Sequence, residues 1–211
     1  MTRHALATGV TAVALVVSAL VMSARVPAAD DAGVAPPGAV VRKTVDGVVA
    51  VLADTSLNAA TKRRQVRKII GERFDYAAMS NRVLATNWGK ASEEQRRRFT
   101  ALFRDLLSHT YWRKISGYSN ETVEYTGEQL RGDKLATVRT LILTDTADIP
   151  VDYKLYRRHD GWMAYDVVIE QVSLVRNYRA RFHETVHRAG LDELLGELEV
   201  QVAEASVADA P

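Results

Sequence analysis

The chain has 211 residues, of which 47% are hydrophobic and 26% charged, and it contains no cysteine. Disulfide bonds, a cysteine nucleophile and a cysteine-borne lipid anchor are therefore excluded, and stability must come from the apolar core. The 28 basic and 26 acidic residues nearly balance, so overall charge gives no case for nucleic-acid binding.

The first 29 residues have the composition of an export signal. Arg3 and His4 form a short basic start, residues 5–22 are apolar or small, and small residues follow at Ser23, Ala24, Ala28 and Ala29. We predict a cleaved signal peptide over residues 1–29. An uncleaved membrane anchor is the alternative, because the apolar run approaches the length that spans a bilayer. Cleavage after Ala29 would leave 26 basic and 26 acidic residues.

The remaining sequence has the length of one domain. Residues 30–40 contain Pro36 and Pro37 among alanines and predict a flexible lead-in. We assign residues 41–205 to a single domain and residues 206–211 to a disordered tail. No internal repeat or low-complexity tract divides this domain.

Helical patterns come first along the domain. Ser92 and Gln95 have the spacing of a capping box at the start of the clearest helix. The predicted helices are Val41–Ala53, Ala60–Glu72, Asp75–Leu84 and Ser92 to about Tyr118. The apolar stripe of the last one consists of Phe99, Leu102, Phe103, Leu106, Leu107, Thr110 and Tyr111.

Alternating patterns follow and predict a sheet. After the sheet, Ser173 can cap a helix that ends at Gly190, and a last helix begins near Leu191. Helices, then strands, then helices again predict an α+β fold with an antiparallel sheet of four to five strands covered by helices. The predicted strands are Thr122–Tyr125, Leu135–Thr144, Ile149–Arg157 and Trp162–Glu170.

One catalytic pattern is present. His183, Glu184 and His187 spell HExxH, and Gly190 and Glu193 extend it; in zinc peptidases the two histidines bind the metal and the glutamate activates water. On a helical wheel, however, the two histidines and Glu184 lie outside the apolar arc. We interpret the motif as a surface coincidence, and a zinc metallopeptidase acting through His183, Glu184 and His187 is the alternative.

Other catalytic patterns do not occur in the sequence. There is no Gly-rich phosphate loop and no GxSxG elbow. His109 and His159 have no obvious partners and are interpreted as ordinary surface or rim residues. We therefore predict a protein that is not an enzyme, with no catalytic residue and no metal site.

A set of short blocks spread over most of the chain carries a family resemblance. The blocks are Phe74-Asp75-Tyr76, Trp88, Gln95, Phe99, Phe103, Leu107, Tyr111, Val138-Arg139-Thr140, Ile149-Pro150-Val151-Asp152-Tyr153, Gly161-Trp162, Tyr165-Asp166-Val167 and Ser173-Leu174-Val175-x-Asn177-Tyr178-Arg179. In this order they resemble the MlaC family of toluene-tolerance proteins, which are periplasmic phospholipid carriers of the Mla pathway. The resemblance runs from about Val41 to Leu198. At Gln171 the chain departs from the family, which commonly has glycine there.

The resemblance implies a function as well as a fold. It implies a deep apolar pocket between the helices and the sheet, with phospholipid as the bound ligand and no other cofactor. It also implies a periplasmic shuttle between an outer-membrane lipoprotein–porin complex and the lipid-binding subunit of an inner-membrane ABC transporter, which maintains outer-membrane lipid asymmetry. No nucleic acid is expected as a partner. An interaction module with a fully packed core is a further alternative.

The pocket wall is predicted from the inward strand positions, the stripe of the long helix and the junction before the next helix. Arg176 and Arg179 are candidates for the phosphate side of the mouth, with surface salt bridges as the alternative role. The predicted lipid-binding residues are Phe103, Leu107, Tyr111, Val151, Tyr153, Val167, Ile169, Val172, Val175 and Tyr178.

Overall fold

The computed structural model describes residues 34–117 and 121–208. The predicted signal peptide, residues 1–29, and the last part of the predicted tail, residues 209–211, lie outside the described residues. The elements in chain order are α1 (Pro37–Ala53), α2 (Ala59–Gly71), α3 (Tyr76–Leu84), α4 (Thr86–Lys90), α5 (Glu93–Ile115), β1 (Thr122–Arg131), β2 (Leu135–Leu143), β3 (Asp148–Arg158), β4 (Gly161–Ile169), β5 (Val172–Ser173), α6 (Leu174–Ala189) and α7 (Leu191–Ala208). The α+β class predicted from the sequence is confirmed.

Several element bounds differ from the sequence prediction. Helix α1 begins at Pro37, within the segment predicted as a lead-in, because the fixed φ of proline suits the first turn of a helix. Helix α7 continues to Ala208, into the segment predicted as a disordered tail. The sequence pattern also does not predict α4, which starts after Ala85 takes up a φ of 51°.

The five strands form one antiparallel sheet in the order β1-β2-β3-β4-β5, so each strand pairs with its neighbour in sequence. Val138, Tyr153 and Val167 lie opposite one another across β2, β3 and β4. Because side chains alternate along a strand, this register places them on one face, which we call the inner face. Tyr165 is an extra, unpaired residue in β4, and it shifts the alternation by one, so that Ala164 and Trp162 lie on the inner face beyond it.

Helix α1 covers one end of the inner face. Val41 packs in a buried cluster with Val138, Leu155 and Trp162, and Tyr125 flanks this cluster from β1. The Arg42 guanidinium lies 3.6 Å from the centroid of the Tyr125 ring, which fastens α1 to the edge of the sheet. This end of the inner face is therefore closed.

The four helices α3, α5, α6 and α7 pack around a second cluster, which we call the helical cluster. Phe99 and Phe103 of α5 are fully buried in it. The Phe103 ring meets Tyr178 edge-on, with the ring centroids 5.2 Å apart, and Phe182 lies beside both rings. Leu195 of α7 closes the cluster from the far side. The apolar stripe predicted for α5 thus faces other helices along much of its length.

His109 corrects one prediction. It is buried, with 7% of its surface exposed, and is not a surface or rim residue. Its Nδ1 atom lies 2.6 Å from the Arg63 Nη2 atom, and its Nε2 atom lies 3.1 Å from the Ser206 hydroxyl. These partners come from α2 and α7, so sequence spacing around His109 could not reveal them. His159, in contrast, has a side chain that is 87% exposed, as predicted.

Candidate functional site

The inner face is less covered at the end opposite α1. Val123, Ile142 and Ile149 form one row across β1, β2 and β3, and all three are only partly buried. In the next row, Val151 pairs with Ile169, which is also partly buried. We call the partly buried side chains Val123, Ile142, Ile149 and Ile169 the open end of the sheet. It carries β-branched apolar side chains where a surface sheet usually carries polar ones.

Two side chains connect the open end with the helical cluster. Val151, Val167 and Leu174 form a buried sheet-end cluster. Phe74, which precedes α3, and Tyr111 of α5 pack both against this cluster and against the helical cluster. A ligand that extended from the open end towards the helices would therefore pass Tyr111.

The structure divides the predicted lipid-binding residues between these two clusters. Nine of the ten pack within or against them, although contact with lipid stays a prediction for all of them. Phe103, Leu107, Val175 and Tyr178 belong to the helical cluster, Val151 and Val167 to the sheet-end cluster, Tyr153 and Ile169 pack against the latter, and Tyr111 packs against both.

Val172 is the exception among the predicted wall residues, because it is 54% exposed. It pairs with Ile169 and shares its face, but β5 is a two-residue edge strand and leaves the side chain uncovered. The turn before it explains the geometry: Glu170 and Gln171 both have positive φ, of 48° and 68°, as in the tight turns that join antiparallel strands. Val172 therefore lies at the rim rather than in the wall.

Asp166 anchors the start of α6. Its Oδ2 atom accepts a 2.7 Å hydrogen bond from the Ser173 hydroxyl, and its Oδ1 atom accepts one from the backbone N–H of Val175. The Ser173 hydroxyl in turn accepts a hydrogen bond from the backbone N–H of Arg176, as the predicted N-cap. Lys154 on β3 balances the carboxylate at 3.7 Å. This network fixes Val175 and Tyr178 relative to β4.

The site contains two phenols in apolar surroundings. Burial, and to a smaller extent the neighbouring Tyr178, raises the pKa of Tyr111 to about 12. Burial raises the pKa of Tyr153 to about 12 as well, although a hydrogen bond with Thr140 opposes the shift. Both hydroxyls therefore stay neutral and able to donate hydrogen bonds throughout the physiological pH range.

The two arginines proposed for the mouth have different surroundings. Arg179 donates hydrogen bonds from Nε, at 2.7 Å, and from Nη2 to the backbone carbonyl of Arg82, so it closes the C-terminal end of α3. Arg176 lines an open concavity of about 250 Å³ on the outer face of the sheet, beside Lys154 and Val168. Arg179 thus holds two helices together, and Arg176 faces away from the open end.

The HExxH residues lie on the surface. His183, Glu184 and His187 are exposed on α6, as the helical wheel predicts, and the two imidazole rings stack with centroids 6.0 Å apart. In the part of the chain that the structure describes, no three His, Cys, Asp or Glu side chains are grouped closely enough to hold a metal ion.

A second concavity, of about 50 Å³, lies between α6 and the turn from α3 to α4. Its lining includes Ala85, Arg179 and Phe182, but neither concavity is lined by a predicted wall residue. The predicted wall side chains instead pack against one another. The deep apolar pocket therefore stays a prediction.

The fold is similar to that of a protein that binds phospholipid. A phospholipid-binding protein from Ralstonia solanacearum, solved in complex with a phospholipid at 1.53 Å resolution, superposes with a TM-score of 0.75 and 25% identity. The match covers 82% of this chain and 99% of that one. The described helices include none that is both long and apolar enough to cross a membrane.

Sequence comparisons agree with this class. The intermembrane phospholipid transport system binding protein MlaC of Haemophilus influenzae is 23% identical over 131 residues. The toluene tolerance protein ttg2D of Pseudomonas putida is 22% identical over 129 residues. Each match spans 60% of this chain and 60% of the relative. The MlaC protein family matches residues 42–200, and the chain belongs to that family. The resemblance predicted from the sequence is thus confirmed.

Proposed function

We propose that this protein is a periplasmic carrier that binds a phospholipid by its acyl tails. In this role it would shuttle phospholipid between an outer-membrane lipoprotein–porin complex and an inner-membrane ABC transporter, and so maintain outer-membrane lipid asymmetry. The open end of the sheet carries the proposal, because its partly buried side chains Ile142, Ile149 and Ile169 offer an apolar surface beside the sheet-end cluster. The phospholipid complex of the Ralstonia protein supports it.

Tail binding must offset the free energy that holds the same tail in a bilayer. Relative to water, a tail that buries about fifteen methylenes gains on the order of 12 kcal/mol before ordering costs. Because a bilayer already supplies this gain, the carrier must offer the tail an apolar surface of similar extent. In the proposed complex the tail displaces Tyr111 and Phe74 from their positions against the sheet-end cluster and lies against Val151 and Val167.

The proposed role is not enzymatic and requires no cofactor beyond the bound lipid. The exposed positions of His183 and His187 favour this role over zinc peptidase chemistry, because a catalytic zinc needs an enclosed site with partners that orient each histidine. Glu184 shares the same exposed helix face.

Extraction of the purified mature protein with organic solvent, followed by mass spectrometry, tests the proposal. We expect phospholipid in the wild-type extract and much less after Val151→Trp, because the indole would fill the space beside Val167 and Ile169. Val41→Trp is the matched control. Val41 and Val151 are both valines with 5% exposure, but Val41 lies on α1 and packs against the closed end of the inner face.

Both substitutions overpack a buried site and should each cost about 1–3 kcal/mol of unfolding free energy. Only Val151→Trp should also lose lipid. A wild-type extract without phospholipid would rule out the carrier function. Equal loading of the two variants would show that lipid does not lie against Val151.

A further inference from the structure

A lysine stands at the rim between the open end and the helical cluster. Lys114 lies in the last turn of α5, one turn after Tyr111, and its Nζ atom is 5.7 Å from the centroid of the Tyr111 ring. Tyr111 is one of the two side chains that touch both clusters. A cation over this ring is therefore at the border of the apolar surface on which we propose that the tails lie.

No carboxylate in residues 34–117 and 121–208 makes an ion pair with Lys114, and its side chain is exposed. Two other cations considered for the site are engaged: Lys154 faces Asp166 at 3.7 Å, and Arg179 is bonded to the Arg82 carbonyl. Among the described residues the Lys114 ammonium thus lies over an aromatic ring with no ion-paired carboxylate and no hydrogen-bond acceptor, and it carries three N–H donors.

We propose that Lys114 binds the phosphodiester of a glycerophospholipid whose tails lie against Val151 and Ile169. The inference rests on the proposed carrier function and locates the head of its ligand. A phosphodiester carries one negative charge and strong acceptor oxygens, which suit a lysine ammonium. Tyr111 packs against the sheet-end cluster. A headgroup bound at Lys114 therefore leaves its acyl chains adjacent to that cluster. The same chemistry would suit free inorganic phosphate, and the experiment separates the two.

The test compares two lipids with identical acyl chains, a phosphatidylglycerol and the corresponding diacylglycerol, which lacks the phosphate. Each is loaded on the mature protein, and its release to acceptor vesicles is timed. We expect Lys114→Gln to release the phospholipid roughly two- to fivefold faster than wild type, in line with an exposed charge pair. Release of diacylglycerol should not change. Lys114→Arg should restore slow release, and Lys90→Gln, at an exposed lysine of α4, should match wild type.

A second measurement separates lipid from free phosphate. We expect loaded phospholipid to slow the reaction of Lys114 with an amine-acylating reagent, read by peptide mass spectrometry, and excess inorganic phosphate to have no such effect. Equal protection by inorganic phosphate would overturn the assignment to a lipid head. The assignment also fails if Lys114→Gln changes neither lipid or changes both alike. If wild type binds neither lipid, the carrier function itself fails.

Discussion

The Ser173 hydroxyl donates a 2.7 Å hydrogen bond to the Asp166 carboxylate, and both residues are buried. Asp166 lies on β4 and Ser173 caps α6, so this contact fixes the strand to the helix that carries Val175 and Tyr178. The carboxylate also accepts the Val175 N–H and faces Lys154. A single charged group therefore sets the helix position relative to the sheet.

Asp166→Ala should lower the free energy of unfolding by about 2–3 kcal/mol, because it leaves the Ser173 hydroxyl and the Val175 N–H unpaired. Ser173→Ala should cost about 1 kcal/mol through loss of the cap. Urea unfolding measures both. Asp152→Ala, at a half-buried carboxylate on the same sheet, is the control and should stay within about 0.5 kcal/mol of wild type. A loss from Asp166→Ala no larger than this control would show that the network does not hold α6.

Gln171→Gly should stabilise the protein. Gln171 has a φ of 68°, a conformation that costs a residue with a side chain about 1–2 kcal/mol and glycine almost nothing. After the larger unfolded-state entropy of glycine is subtracted, we expect a gain of about 0.5–1 kcal/mol in urea unfolding. The reciprocal control is Gly132→Ala, which introduces a side chain at a φ of 59°. No atom crowds the added methyl, so only the left-handed backbone conformation opposes this substitution. Destabilisation by Gln171→Gly would contradict the left-handed turn.

Stability should fall in alkaline solution through Tyr111 and Tyr153. The pKa of each is raised from 10.0 to about 12, mainly by burial, so the unfolded chain releases these protons first. The stabilising effect is complete below pH 10 and is lost as pH rises towards 12. Tyr153 adds up to about 1.4 kcal/mol per pH unit to the decline within this window, and Tyr111 adds less because solvent screens its half-exposed side chain.

Urea unfolding between pH 9 and 12 checks this dependence. In Tyr153→Phe the free energy of unfolding should decline less steeply with pH, by the contribution of about one proton, because phenylalanine does not titrate. His159→Ala, at an exposed side chain, should leave the slope at its wild-type value. An unchanged slope in Tyr153→Phe would mean that the phenol ionises equally well in the folded state.

Ser80→Ala should be neutral or stabilising by up to about 1 kcal/mol, because the lost hydroxyl satisfies nothing in the folded state. Ser80 is fully buried on α3, and its hydroxyl has no hydrogen-bond partner among the described residues. Ser173→Ala is the contrasting variant, since that buried hydroxyl both donates and accepts. A loss above about 1 kcal/mol for Ser80→Ala in urea unfolding would reveal a hidden partner.

Local patterns predicted much of the fold. The capping box of Ser92 and Gln95 forms, with hydrogen bonds of 2.9 and 3.1 Å, and Ser173 caps α6. The four predicted strands are present, because an alternating apolar pattern gains free energy only when one face is covered. The blocks quoted from the sequence also indicated the MlaC family, which the comparisons confirm.

Predictions from the sequence failed where contacts between distant segments determine the position of a side chain. His109 meets partners on α2 and α7, and Arg179 binds a carbonyl on α3. Val172 has the alternation of an inward residue but lies on an edge strand and is 54% exposed among the described residues. The type and spacing of these side chains would be the same whether or not they made these contacts, so the sequence alone could not distinguish the two cases.

The order of amino acids alone determined the longer helices, the four long strands and the contact of Lys114 with Tyr111 on α5, because backbone preference and helical spacing act over a few neighbouring residues. Tertiary structure alone decided which part of the inner face is closed by α1 and which is left partly buried, and it placed Tyr111 against the sheet-end cluster. Coverage depends on how distant helices meet the sheet, and this geometry is not encoded in any single stretch of the chain.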